Sequence, residues 1–239
     1  MTISTDSHRS KTENKMDVFV SKDGIYYVIS DDNKDVTVRE ELKLPIHSKT
    51  DLRLIEEFFE TSGVEVESEN VSIHVENSVY QLIPSELYRE SDMPLLFNLV
   101  FGKSEDVFQT TVIPRWSLHL VYRVSETLTS FFNNLFPEAE VQHFIFSLLK
   151  TFIHRNEEAV YVNFRNEIVD IALVKDNKLQ LFNSFESKTP DDACYHTLNV
   201  YEQFQLSVES FKLKIKKNQS INNREIDLLK QYVSLVEVS

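Results

Sequence analysis

The chain has 239 residues, 41% of them hydrophobic and 11% aromatic, which is enough to bury one large core or two modest ones, so we expect a globular, soluble protein. Its net charge of −13 argues against DNA or RNA as a partner, because the summed field of the chain repels a polyanion. The lone cysteine, Cys194, excludes an internal disulfide and a cysteine-based zinc site, and it fits the reducing cytoplasm, where we expect the protein to work. The longest apolar stretches fall well short of the roughly 20 residues that cross a bilayer, so we expect no membrane insertion.

The first half of the chain predicts three strands, a helix and a fourth strand, in that order. Residues 1–15 are polar and lack an apolar segment, so we expect a disordered tail there, and neither a secretory signal nor a membrane anchor. Residues 18–44 predict three short strands separated by turns. Ser48 is placed to cap the following helix and Gly63 to end it. The alternation in residues 71–75 then predicts another strand.

The middle of the chain predicts a mixture of strands and helices without this regularity. Apolar periodicity and the positions of proline indicate the elements. We expect a strand over residues 79–83, helical structure over 84–99, a strand over 107–113, a helix from Pro114 to about Leu135, a short strand over 139–143 and a helix over 144–154.

The second half of the chain repeats the order of the first. Residues 160–186 predict three strands with turns near 166 and at 176–178, and Thr189 and Pro190 open a helix. Residues 211–215 alternate as a fourth strand, and a last helix is predicted over 222–236. The sequence therefore predicts an α/β fold of duplicated β-β-β-α-β units, with mixed sheets flanked by helices. We expect two subdomains, residues 16–136 and 137–239.

Two polar stretches lie within these predicted strands. Lys212 and Lys214 alternate with apolar residues, which is typical of a strand with one solvated face rather than of a basic patch for nucleic acid. Asn183, Ser184 and Glu186 similarly predict one polar face, with Phe182 and Phe185 on either side of it.

A long motif in the second half of the chain resembles a known family. Residues 161–186, YVNFRNEIVDIALVKDNKLQLFNSFE, continued by Thr189-Pro190-Asp191-Asp192, resemble an uncharacterised bacterial family of the actin-like ATPase fold, which is ribonuclease H-like. The segments 71–75 and 80–84 fit the first half of the same family, and the resemblance covers residues 16 to about 215. It implies a distant similarity to the actin-like cytoplasmic components of type IV pilus and type II secretion assemblies.

The resemblance also implies where a nucleotide would bind and how this chain departs from that pattern. In active relatives, each turn between the first two strands resembles Asp-x-Gly, whose backbone approaches the phosphates and whose carboxylate helps to hold hydrated Mg²⁺. Here Asp23 and Gly24 are adjacent, as in a tight hairpin, and the second turn has Asn163 near the carboxylate position and no glycine. Only three glycines occur where average usage of ~7% predicts about 17, so a phosphate cradle is not expected.

The remaining candidate site is a cleft for an anion or another ligand at these two turns. Its residues are Ser21, Asp23, Asn163, Arg165 and Asn166. The planar fork of Arg165 is suited to an anion; alternatively, Arg165 offsets Glu167 and Asn166 supplies turn geometry. No P-loop, dinucleotide, serine-hydrolase or zinc motif occurs, and the seven histidines are scattered, so we expect no catalytic residue, metal or cofactor.

The sequence thus favours a non-catalytic, cytoplasmic actin-like protein that binds or scaffolds a protein partner. The alternative is a divergent ATPase or kinase of the actin-like superfamily.

Overall fold

A computed structural model describes most of the chain, in two compact units. The described ranges are 14–21, 23–31, 36–44, 49–63, 70–155, 157–165, 167–216 and 223–238. The units comprise residues 1–148 and 149–239. The predicted tail up to residue 13, the Ser48 cap, the turn at 32–34 and Asn166 lie outside the described residues.

The described residues form thirteen strands and six α-helices. The strands are β1 Lys15–Ser21, β2 Gly24–Ser30, β3 Val36–Leu42, β4 Val71–Val75, β5 Tyr80–Pro84, β6 Val107–Ile113, β7 Leu118–Val124, β8 Glu140–His143, β9 Ala159–Arg165, β10 Ile168–Lys175, β11 Lys178–Glu186, β12 Leu213–Lys216 and β13 Val236–Val238. The helices are α1 Lys49–Ser62, α2 Met93–Phe101, α3 Glu126–Leu135, α4 Phe144–Arg155, α5 Pro190–Gln203 and α6 Asn223–Tyr232.

The first unit contains a five-stranded mixed sheet in the order β3-β2-β1-β4-β8. β1, β2 and β3 form an antiparallel meander, β4 runs parallel to β1, and β8 runs parallel to β4. Alternate residues of this sheet, including Val18, Tyr27 and Ile73, pack with Ile55 of α1 and Phe132 of α3 into one core. A second, antiparallel sheet, β5-β7-β6, carries helix α2.

The second unit repeats this topology. Its sheet has the order β11-β10-β9-β12-β13, with β9, β10 and β11 antiparallel, β12 parallel to β9, and β13 parallel to β12. Residues such as Val162, Ile171 and Ile215 face a core that also contains Val200 of α5 and Leu229 of α6. The predicted duplication of β-β-β-α-β units with mixed sheets flanked by helices is therefore confirmed.

The predicted helix from Pro114 to Leu135 is wrong in its first half. Pro114–Trp116 is a single turn of 3₁₀-helix, and Ser117 has a left-handed backbone with φ 52° that reverses the chain. β7 then pairs along its whole length with β6, and α3 begins only after Ser125, whose side chain caps it by accepting from the Leu128 amide. Proline opens a 3₁₀ turn as readily as an α-helix, because both need the same φ.

Two other predicted helices have different bounds in the structure. The helix expected over residues 84–99 is shifted, because β5 continues to Pro84 and α2 begins at Met93. The last helix, expected to reach residue 236, ends at Tyr232, and Val236–Val238 then pairs in parallel with β12. This pairing covers an edge of the sheet that would otherwise expose unpaired backbone groups.

The hairpin turns are built from the residues that the sequence indicated. Asp176 and Asn177 both have positive φ, 54° and 57°, and form the two-residue turn between β10 and β11. In the first unit, Ser21 pairs with Gly24 to close the β1–β2 hairpin. A Cβ atom on Gly24 would lie 2.3 Å from the carbonyl oxygen of Leu42, so this position needs glycine.

Across the described ranges, no helix combines the length and the apolar character that crossing a bilayer requires.

Candidate functional site

A polar cluster lies on the face of the second sheet that is turned away from the α5–α6 core. In the register of the strands, Asp170 of β10 lies directly between Asn163 of β9 and Ser184 of β11. Arg165 is two residues beyond Asn163 on the same strand, so its side chain shares that face. We refer to Asn163, Arg165, Asp170 and Ser184 as the Asp170 cluster.

Four hydrogen bonds converge on the buried Asp170 carboxylate, which is only 1% exposed. Its Oδ1 accepts from Arg165 Nη2 at 2.8 Å and from Ser184 Oγ at 2.7 Å. Its Oδ2 accepts from Arg165 Nε at 2.8 Å and from Asn163 Nδ2 at 2.9 Å. This set of donors compensates the cost of removing a carboxylate from water.

The Arg165 guanidinium holds Asp170 in the two-pronged geometry that it would offer to an external carboxylate or phosphate. Its side chain is 11% exposed. An anion could take this fork only by displacing Asp170, which would leave a carboxylate buried without its cation. The fork of Arg165 is thus occupied by a side chain of the same unit.

The polar residues of β11 do not form the single face that was predicted. Ser184 shares the face of Asp170, whereas its neighbour Asn183 pairs with Ile171 and belongs to the opposite face, because successive strand residues alternate. Glu186, two residues beyond Ser184, returns to the Asp170 side.

A second charged group lies on the neighbouring strands of the same sheet. Lys212 and Lys214 both contact the Glu157 carboxylate, and Lys214 Nζ also lies 3.1 Å from Glu237 Oε2 of β13. The hydrogen bonds from Lys212 and then Lys214 lower the pKa of Glu157 from 4.5 to about 2. Lys214 is buried, so the predicted solvated lysine face is wrong at this position, because Glu157 and Glu237 enclose its ammonium group.

The predicted residues of the first turn serve the β1–β2 hairpin. Ser21 Oγ accepts from the Asp23 amide at 3.2 Å and donates to the Gly24 carbonyl at 3.3 Å. Asp23 itself is exposed. The structure therefore brings Ser21 and Asp23 together in the first unit, and Asn163 and Arg165 together in the second.

A serine, a histidine and an aspartate that the sequence did not single out are linked in the first unit. His74 Nε2 lies 2.8 Å from Asp17 Oδ1, and His74 Nδ1 lies 3.1 Å from Ser147 Oγ. In hydrolases with such a triad the aspartate is buried, whereas the Asp17 side chain is 44% exposed. His74 is buried and stacks on Phe19 at 4.7 Å, so the three residues serve to satisfy a packed histidine and to attach α4 to the sheet.

Asp170 is the central residue that the sequence prediction missed. It is an acid within a strand whose other interior residues are apolar and buried. A carboxylate at such a position needs a partner, and Arg165 lies within reach across the short β9–β10 hairpin, so the signal was present.

The described residues at the two turns are engaged in contacts within their own units. The Asp170 carboxylate is covered by four donors, and Glu167 at the β9–β10 turn has a left-handed backbone with φ 51°. In the first unit, a Cβ atom on Gly24 would lie 2.3 Å from the Leu42 carbonyl oxygen, so the backbone at the end of β3 closes the space beside this glycine. Among the described side chains, no group of three or more His, Cys, Asp or Glu is placed to hold a metal ion.

Comparisons with known proteins identify the fold. The model of a family described as "Protein of unknown function (DUF3822)" matches residues 4–236. A solved structure from Bacteroides thetaiotaomicron VPI-5482, a protein of actin-like ATPase fold and unknown function, is 20% identical and has a TM-score of 0.75 over 95% of this chain and 91% of that chain. The predicted actin-like fold is therefore confirmed. No curated protein matches the chain.

More distant similarity extends to the secretion and pilus proteins that the sequence indicated. The PilM–PilN type IV pilus biogenesis complex gives 11% identity and a TM-score of 0.54, over 94% of this chain and 88% of that chain. The cytoplasmic domain of EpsL, an inner membrane component of the Vibrio cholerae type II secretion system, gives 13% identity and a TM-score of 0.47, over 92% and 93% of the two chains.

Proposed function

The chain belongs to the DUF3822 family, and we propose that it is a non-catalytic protein of the actin-like fold that binds or scaffolds another protein. The observation that carries this proposal is the Asp170 cluster. Arg165 is the side chain best suited to hold a phosphate at its turn, and a buried carboxylate of the same sheet binds the Nε and Nη2 donors of its guanidinium. This contact supports the proposal, because among the described residues of this turn the guanidinium edge that would engage a phosphate is bound to Asp170 instead.

A protein partner is the ligand that the overall properties favour. The net charge of −13 disfavours nucleic acid, and the PilM–PilN complex offers an example of this fold beside another protein. The single cysteine, Cys194, is buried and fits a reducing compartment, which supports a place in the cytoplasm.

A thermal-shift titration of the full chain tests the proposal. Mg-ATP and Mg-ADP are added to millimolar concentration, with inorganic triphosphate as the control for nonspecific anion effects. A specific site at a ligand concentration of 100 Kd stabilises by about 2.7 kcal/mol, which raises the Tm of a chain of this size by roughly 5–10 °C.

We expect no saturable shift with either nucleotide beyond that of triphosphate. A saturable shift of several degrees with Mg-ATP alone would overturn the proposal in favour of a divergent ATPase or kinase.

A further inference from the structure

Helix α2 of the first unit is apolar around almost its whole circumference. One side, with Met93 and Phe97, packs on Val121 of β7. The opposite side is exposed to solvent, with Leu95 at 65% and Leu99 at 74%. We call this side the apolar α2 face; it consists of Leu95, Leu96, Leu99 and Val100.

Such a helix is incompletely covered by its own unit. Helices that are apolar on all sides are normally buried on all sides, whereas surface helices carry charged residues on their outer face. The four exposed side chains are neighbours on the helix surface and form one apolar patch, and such patches on monomers are often functional. The outer side of α2 therefore has the composition of an interface.

The helix is held rigidly on its sheet, so the apolar α2 face is a fixed surface. Buried Arg123 of β7 donates through Nη1 to the Gly102 carbonyl at 2.8 Å and through Nη2 to Asn98 Oδ1 at 2.6 Å. Its guanidinium also lies 5.0 Å from the ring centroid of Phe108. The positive charge of Arg123 at the C-terminus of α2 also interacts favourably with the helix dipole.

The chain segments on either side of α2 are acidic. Residues 85–106 contain five acidic and two basic side chains, a net charge of −3, and all seven are exposed. The acidic residues are Glu86, Glu90, Asp92, Glu105 and Asp106, and the basic ones are Arg89 and Lys103.

We propose that the apolar α2 face binds an amphipathic segment of a partner protein, apolar on the side that meets α2 and flanked by lysine or arginine. This inference rests on the proposed function, because it specifies where and how a protein partner binds. A second copy of the chain fits less well because it would bring the same acidic segments and a further net charge of −13. An anionic membrane surface is disfavoured by the same charges.

Photo-crosslinking of the full chain in its native cell tests this inference. Benzoylphenylalanine replaces Leu99 in one variant and, as a control, the exposed Lys230 of α6 in another. We expect the first variant to crosslink a different protein through a segment that, mapped by mass spectrometry, is apolar on one side with basic flanks.

The other outcomes contradict the inference. Crosslinks from position 99 to a second copy, to lipid, to a segment of other chemistry, or to nothing would overturn it. If position 230 captures a protein and position 99 does not, the inference fails while the proposed function stands. A nucleotide-dependent thermal shift would instead count against the proposed function.

Two matched substitutions add a quantitative test. Leu95→Glu places a charge on the apolar α2 face, and Leu54→Glu places one on an exposed apolar residue of α1 outside it. We expect Leu95→Glu to lower the crosslink yield from position 99 by about tenfold or more, and Leu54→Glu to leave it unchanged. Equal yields from both variants would refute the assignment. Circular dichroism checks that each variant folds.

Discussion

Replacing Asp170 with asparagine should destabilise the second sheet more than a change of one atom suggests. Asparagine keeps the shape of the carboxylate but turns one acceptor oxygen into an N–H donor. Each oxygen accepts two hydrogen bonds, one of them from Arg165, so in either orientation the amide nitrogen loses its bond from Arg165 and places an N–H donor against the guanidinium, which cannot accept. The guanidinium, 11% exposed, also loses its counter-charge.

The expected cost follows from these losses. Breaking a buried ion pair by removing one partner typically costs 3–5 kcal/mol, so we expect Asp170→Asn to lower the free energy of unfolding by about 4 kcal/mol. Arg165→Met should cost about 3 kcal/mol, because Asn163 and Ser184 still donate to the carboxylate. The double variant should cost at least about 2 kcal/mol less than the sum of the two.

Hydrogen exchange measured by mass spectrometry gives the opening free energy of the β10 amides, and urea denaturation gives that of the whole chain. The control is Arg53→Met, which removes an exposed ion pair with Glu57 on α1 and should change stability by less than about 1 kcal/mol. Additive effects of the two single variants, or a cost below about 1 kcal/mol for Asp170→Asn, would refute the role given to this cluster.

Three further results are expected. The hydrogen bonds from Lys212 and then Lys214 lower the pKa of Glu157 from 4.5 to about 2, so its contribution to stability is complete above pH 4.5 and disappears as the pH falls to 2. Glu157→Gln should flatten that part of a pH titration of stability followed by circular dichroism. Thr189→Ala removes the N-cap of α5 and should cost about 1 kcal/mol in urea denaturation, and an unchanged midpoint would contradict the capping geometry. Gly24→Ala should lower the free energy of unfolding by about 3 kcal/mol, because its Cβ would meet the Leu42 carbonyl. Gly63→Ala should lower it by only about 1 kcal/mol, because the space around that Cβ is open. Equal losses of stability in the two variants would contradict this reasoning.

The duplicated architecture could be predicted because it depends on local patterns that occur twice. Strands of alternating burial, such as Met16 to Val20, are separated by turn residues such as Asp176 and Asn177, whose positive φ few residues adopt. The α5 start was equally predictable, since Thr189, Pro190 and Asp192 form a capping box with proline at the first helical turn.

β7 could not be assigned from local pattern because its start depends on tertiary pairing. Pro114 is compatible with both a 3₁₀ turn and an α-helix, and the choice is made by the left-handed Ser117 and by the register that joins Ile113 to Leu118. The strand is buried on both faces near its end, where Arg123 and Val124 are equally enclosed, so alternation is weak there.

Only part of the candidate site could be predicted, because the rest of it also depends on how the strands pair. Asn163 and Arg165 lie next to a turn and can be picked out from the sequence for that reason. The contacts of Asp170 with them can be predicted only when β10 is placed in register between β9 and β11. Lys214 likewise follows an alternating pattern, and only the parallel neighbour β13 brings Glu237 over it.

A crystal structure of the full chain, grown with millimolar magnesium and a non-hydrolysable ATP analogue, tests the central claim most directly. We predict that Arg165 will remain on Asp170 with both bonds near 2.8 Å, and that no phosphate will lie at the β9–β10 turn. Density for phosphate groups on the Arg165 guanidinium, with Asp170 released from it, would contradict this account.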